Sequence, residues 1–141
     1  RGLGDVYKRQ ELCCDMDSIL SAVVEEKGGQ AFRLTLENGY DWTLSSTLDK
    51  AKKLYDEHCP ALVWGSPTCG PCSSTQNMNQ RTEQQIQYIE IDRVYSAAMI
   101  KNVILFLEYA SEHGSLTAFE HPLTASSWQL IPELARFRWH N

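Results

Sequence analysis

Apolar residues recur with two different periods along the first part of the chain. Residues 11–14 form a short apolar stretch, and apolar positions then recur at helical spacing from Ser18 until the pair Gly28 and Gly29. Apolar and polar residues alternate across 30–36, which is the period of a half-buried strand. The pattern therefore predicts a strand, a helix ended by glycine and a second strand.

A second helix and a third strand are predicted after the turn at 37–41. The polar run 45–47 precedes an amphipathic stretch that ends near His58 and Pro60. Residues 61–64 contain no polar side chain, as is typical of a strand buried on both faces. The segment completes a second crossover between strands.

The rest of the chain predicts two more helices around a fourth strand. Helical spacing over 82–113 indicates one long helix, or two joined, ended by Gly114. Residues 115–119 are predicted to form the fourth strand, and a last helix is predicted from Ser126 to about Arg136. Neither an internal repeat nor a low-complexity segment interrupts this order.

Strands that alternate with helices predict an α/β fold. We expect a three-layer Rossmann-like sandwich, with a mostly parallel sheet, helices on both faces and right-handed crossovers. The 141 residues, of which 43% are hydrophobic, suit one domain. Residues 1–10 resemble translated adapter sequence from assembled metagenomic reading frames, so we interpret them as a non-native leader. Residues 11–141 are then expected to be a single, truncated domain.

Composition narrows the function classes. The net charge of −5 and the pI near 5.3 disfavour a free-standing nucleic-acid binder, which usually presents a basic face. Neither a membrane span nor a signal peptide is predicted, so we expect an intracellular protein, in nucleus or cytoplasm. The five cysteines have no framework spacing and are expected to be reduced. A zinc site of Cys69 and Cys72 with His58 or Cys59 lacks a second ligand pair at finger spacing, so we predict no metal.

Reactive and acidic side chains follow each predicted strand. Asp15 and Asp17 come after the first strand, and Asp41 after the second. Cys69 and Glu120 follow the third and the fourth strands. Function in parallel α/β sheets gathers at the carboxyl ends of the strands. We therefore expect a site in which a thiol attacks an electron-poor ring or carbonyl while a carboxylic acid assists.

Two segments resemble motifs of one enzyme family. Residues 65–73, Gly-Ser-Pro-Thr-Cys-Gly-Pro-Cys-Ser, are similar to the Gly-Gly-Pro-Pro-Cys-Gln-x-Phe-Ser loop of the cytosine-C5 DNA methyltransferases. Residues 118–122 resemble that family's Phe-x-x-Glu-Asn-Val segment. The resemblance implies that Cys69 adds to C6 of a flipped cytosine while Glu120 holds N3. It also implies substrate contacts from Ser73, Gln76 and Asn77, with DNA bound through regions outside this chain.

The family resemblance also implies S-adenosylmethionine as the cofactor. Residues 11–18 occupy the place of the family's Phe-x-Gly-x-Gly turn and contain no glycine. A relative of the family, associated with a mobile element, that kept the fold and lost activity fits the same residues. Asp41 is equally well explained as a turn residue. The implied cofactor contacts are Cys13, Asp15, Asp17, Asp41 and Pro67.

Two other functions fit parts of the sequence. Cys-Gly-Pro-Cys after a strand is the arrangement of thioredoxin-like oxidoreductases, with Cys69 attacking and Cys72 resolving. Against it, Thr68 replaces that family's tryptophan, and 73–81 is a poor apolar helix. A non-catalytic α/β interaction module is the third hypothesis. Its core or interface anchors would be Trp42, Trp64, Trp128 and Trp139.

Overall fold

The chain folds into alternating strands and helices. A computed structural model describes residues 6–68, 72, 81–122 and 124–136. Its strands are β1 (Lys8–Leu12), β2 (Gln30–Leu34), β3 (Leu62–Gly65) and β4 (Leu116–Phe119). Its helices are α1 (Ile19–Glu26), α2 (Ser45–His58), α3 (Glu83–Glu112), α4 (Ser127–Leu130) and α5 (Pro132–Arg136).

All four strands pair in parallel in one sheet, in the order β2-β1-β3-β4. The predicted α/β class with a parallel sheet is confirmed, and the sheet is consistent with a Rossmann-like fold. After β2 the chain crosses back over β1 and places β3 on the other side of it. The strand order therefore reverses between β1 and β3, which is where open α/β sheets form a crevice for ligands.

Helices contact both faces of the sheet. Ser21 in α1 donates a hydrogen bond to Glu11, whereas Gly65 lies against Val103 in α3, within 2.8 Å of where a Cβ would stand. Glu11 and Gly65 belong to successive register pairs, so they face opposite sides. On the α1 side Leu116 in β4 is 74% exposed. A complete third layer therefore stays a prediction.

The core lies mainly under the second half of α3. Thr82 and Gln85 begin this helix with a capping box, in which each side chain accepts a hydrogen bond from the other's backbone. Several large apolar side chains from Ile86 to Tyr95 are exposed, whereas the helix is buried further along. The buried α3 residues of the core are Ile100, Val103, Ile104, Phe106, Leu107 and Ala110.

The prediction of a single last helix is wrong. The structure has two short helices, α4 and α5, because Ile131 between them is extended, with φ −114° and ψ 104°. Pro132 explains this break, since proline lacks a backbone N–H and disfavours helical geometry in the residue before it.

The first strand begins earlier than predicted. Lys8, Arg9 and Gln10 pair with β2, and Arg9 and Gln10 also pair with β3. The prediction that the first strand begins at residue 11 is therefore wrong, since the strand also includes these three residues. That these ten residues are a non-native leader stays a prediction.

In the part of the chain that the structure describes, no helix combines the length and the apolar character that a membrane crossing needs.

Candidate functional site

The carboxyl ends of the central strands open into two neighbouring clefts, which share Cys13, Cys14 and Asp15. The first, of about 400 Å³, lies toward β2 and is called the β2 cleft. The second, of about 450 Å³, lies toward the start of α1 and is called the α1 cleft. The strand-order reversal therefore does create concave surface at the edge where the sequence predicts a site.

Aromatic and thioether side chains form the apolar wall of the β2 cleft. Tyr40, Trp42 and Met99 line it. The indole Nε1 of Trp42 donates to the carbonyl of Leu34 at 2.9 Å, and the carbonyl of Trp42 accepts a hydrogen bond from the Asn102 amide at 2.9 Å. These two bonds tie the wall to β2 and to α3, so the wall is held on both sides.

Asp41 lines the β2 cleft and also builds the turn before α2. Its Oδ1 accepts hydrogen bonds from the backbone N–H and the hydroxyl of Thr43, at 3.0 and 2.6 Å. This is the local bonding of an Asx turn. One carboxylate oxygen is thus engaged within the turn, and a cofactor contact by Asp41 stays a prediction.

A buried carboxylate forms the floor of the α1 cleft. Oε2 of Glu11 accepts hydrogen bonds from the hydroxyls of Ser18 and Ser21, at 2.7 and 2.6 Å. Ser18 also caps α1 by accepting from the Ser21 backbone at 3.4 Å. Asp17 lies at the rim. The sequence analysis missed Glu11, because its role depends on serines seven and ten residues further along.

Cys13 stands where the resembled family has a glycine turn. Its φ of 58° is left-handed, a conformation that glycine adopts easily and other residues rarely do. Burial, and then Cys14, raises the pKa of Cys13 to about 12. Burial, and then Glu11, raises the pKa of Cys14 to about 11. Both thiols are therefore protonated at neutral pH and are poor nucleophiles.

Because the backbone of Cys13 is left-handed, we expect glycine to be more stable than alanine at this position, which is the reverse of the usual order. We expect Cys13→Gly to be more stable toward urea than Cys13→Ala by about 1 kcal/mol, because left-handed geometry is costly for a residue with a Cβ. At Cys14, whose φ is not positive, the same pair is expected in the usual order, with alanine more stable. An alanine variant that is the more stable at both positions would contradict strain at Cys13.

The third strand leads toward the proposed nucleophile. Pro67 is buried, while Ser66 lines the α1 cleft and Thr68 lines the β2 cleft. The Thr68 hydroxyl lies 3.9 Å from the sulfur of Met99. The described end of this segment therefore lies between the two clefts. The predicted site residues Cys69, Ser73, Gln76 and Asn77 lie outside the described residues.

Glu120 lies beside the end of β3. It is exposed, and its backbone N–H donates to the carbonyl of Gly65 at 2.8 Å. The carbonyl of Cys72, which is buried, accepts from both the N–H and the hydroxyl of Ser126, at 3.0 and 3.2 Å. The segment after β4 is thus bonded to the segment after β3. Glu120 lines neither of the two clefts.

Two further observations bear on redox chemistry and on metal binding. A thioredoxin-like site requires Cys69 at a helix N-terminus, which lies outside the described residues; α3 begins at Glu83. Among the residues that the structure does describe, no three His, Cys, Asp or Glu side chains come close enough to hold a metal ion.

Fold and clefts together define a parallel α/β protein with concave surface around the point where its strand order reverses. No protein-family model, curated protein or solved structure matches this chain.

Proposed function

We propose that the β2 cleft binds S-adenosylmethionine, in a methyltransferase domain related to the cytosine-C5 DNA methyltransferases. The observation that carries the proposal is the lining of this cleft, which lies beside the strand-order reversal, at the carboxyl ends of β1 and β2. It combines the apolar wall of Tyr40, Trp42 and Met99 with the carboxylates of Asp15 and Glu37. A mostly apolar cleft with a few polar groups is typical of a small-molecule site.

The chemistry of the cofactor suits that lining. Adenine is a flat aromatic ring system, so its two faces pack well against aromatic and thioether groups. Ribose hydroxyls donate to carboxylates, and the sulfonium and ammonium groups carry positive charge. Among the described residues that line the β2 cleft, three are acidic and none is lysine, arginine or histidine, so the lining favours a cation, although Lys50 lies over the Tyr40 ring at 4.2 Å. The glycine-like backbone of Cys13 supports the same cofactor turn.

The reaction follows from the resemblance. The thiolate of Cys69 forms a bond to C6 of a flipped cytosine while Glu120 holds N3. S-adenosylmethionine, held by the β2 cleft, would supply the methyl group that C5 accepts. Transfer of the C5 proton to water would then expel the Cys69 thiolate and restore the ring. The bond from Glu120 to Gly65 supports this pairing, since it places the glutamate beside the strand that leads to the cysteine.

Calorimetric titration of the reduced protein with S-adenosylmethionine and with S-adenosylhomocysteine tests the proposal. We expect micromolar binding. Asp15→Asn is expected to weaken S-adenosylmethionine binding about tenfold, because it removes a carboxylate from the shared wall of the clefts. Asp49→Asn is the matched control, since Asp49 is exposed on α2. Cys72→Ser is also expected to leave binding unchanged.

Lack of binding by a protein that is shown to be folded would contradict the proposal. Binding that is lost equally in Asp15→Asn and Asp49→Asn would contradict the assignment of the cleft. If the protein binds S-adenosylmethionine, an assay of methyl transfer to DNA distinguishes an active enzyme from a relative that kept the fold and lost activity. Cys69→Ala is then expected to abolish transfer while leaving cofactor affinity intact.

A further inference from the structure

His121 is enclosed by the segment that follows β4. Its Nε2 is hydrogen bonded to the hydroxyl of Ser127, the first residue of α4. Its ring lies 5.5 Å from that of Phe119 and 5.6 Å from that of Trp128. Trp128 is itself fixed, because its indole donates to the carbonyl of Pro122 at 2.7 Å. The imidazole thus holds the start of α4 against the end of β4.

The second nitrogen of this imidazole has no partner among the residues that the structure describes. There Nδ1 of His121 is buried and lacks a hydrogen bond, and Ser127 is fully buried. In the neutral ring Nε2 can donate to the serine oxygen while Nδ1 is left as an unpaired acceptor. In the protonated ring Nδ1 becomes a donor without an acceptor. Burying this unpaired donor on a charged ring costs more free energy than burying the unpaired acceptor of the neutral ring. The enclosure therefore accommodates the neutral ring and disfavours the charged one.

The segment that His121 closes also holds the segment after β3. Ser126, next to the partner of His121, donates two hydrogen bonds to the carbonyl of Cys72. Opening the start of α4 would release those bonds. The imidazole is thereby linked to Cys72.

We infer that His121 is a pH-sensitive latch, which keeps the start of α4, from Ser126 to Ile131, bonded to Cys72 when neutral and releases it when protonated. The latch does not rest on the proposed cofactor or reaction. It acts on local opening, which takes place within a folded protein at a lower free energy than global unfolding.

The direction of the pH dependence follows from the charges around the ring. Burial lowers the pKa of His121 below its ordinary value of about 6.5. β4 and α4 contain no charged residue, Glu120 is exposed, and Glu133 of α5 is paired with Lys101. The open state therefore binds the proton more tightly than the closed one. Closure is complete above about pH 6.5 and weakens as the pH falls below it.

Amide hydrogen exchange tests the latch. Exchange is measured at about pH 7.5 and about pH 5 and corrected for the intrinsic pH dependence of exchange. We expect protection of the Ser126 and Ile131 amides to fall about tenfold at the lower pH, since their bonds to Cys72 and Ser127 open. Protection of the buried Ile104 amide in α3 is expected to fall less.

Two variants decide the cause. His121→Gln places an amide near Nε2 and cannot titrate, so protection at Ser126 is expected to be independent of pH. His113→Gln, at an exposed histidine, is expected to keep the tenfold change. The inference is overturned if the wild-type protein shows no change at Ser126, or if His121→Gln shows the same change as the wild type.

Discussion

Phe106→Ala is expected to lower the free energy of unfolding by about 3–5 kcal/mol, because it leaves a cavity at the centre of the core. Phe106 is 0% exposed. Its ring lies 5.6 Å from that of Trp42 and 6.2 Å from that of Tyr55, so α2, α3 and the turn before α2 lose packing at once. Urea denaturation followed by circular dichroism measures the change.

The same helix supplies the matched control for this prediction. Tyr88 is also in α3, but it is 62% exposed. We expect Tyr88→Ala to change the unfolding free energy by no more than about 0.5 kcal/mol. Equal losses in the two variants would mean that the first half of α3 is packed as firmly as the second, contrary to the structure.

The second large effect is a gain in stability. Gln10→Leu is expected to raise the free energy of unfolding by about 1–3 kcal/mol, because it removes a buried amide that has no partners. Gln10 is 0% exposed, and within the described part of the chain neither its Nε2 nor its Oε1 makes a hydrogen bond. It pairs in register with Phe32 and Val63, so a leucine there joins an apolar row.

Gln87→Leu is the control, since Gln87 is exposed on α3 and the same change should be nearly neutral there. Thermal unfolding of the two variants under identical conditions gives the comparison. A lower melting temperature for Gln10→Leu than for the wild-type protein would contradict the cost assigned to the unpaired amide.

The sheet was predictable because its strands have strong local signals. Residues 61–64 are apolar throughout, and the turns at Gly28 and Gly114 mark the ends of helices. The beginning of β1 was not predictable, because Arg9 and Gln10 are polar in a strand that pairs on both sides. Burial of polar residues is imposed by strand pairing, and periodicity does not detect it.

The position of the two clefts along the sheet was predictable, but the residues that form their walls were not. Asp15, Asp17 and Asp41 follow strands, so the rule for parallel sheets is enough to bring them to one edge. Met99 reaches the β2 cleft from the middle of α3, and nothing local to its sequence indicates this. Such long-range placement is a product of how α3 packs on the sheet.

Gly65 sets the width of a cleft that it does not line. A Cβ on this residue would come within 2.8 Å of Val103, so the absence of a side chain lets α3 approach β3 closely. Met99 lies one helical turn before Val103, on the same side of α3. A side chain at position 65 would push α3, and with it Met99, away from β3. The width of the β2 cleft on the α3 side therefore depends on the glycine in β3.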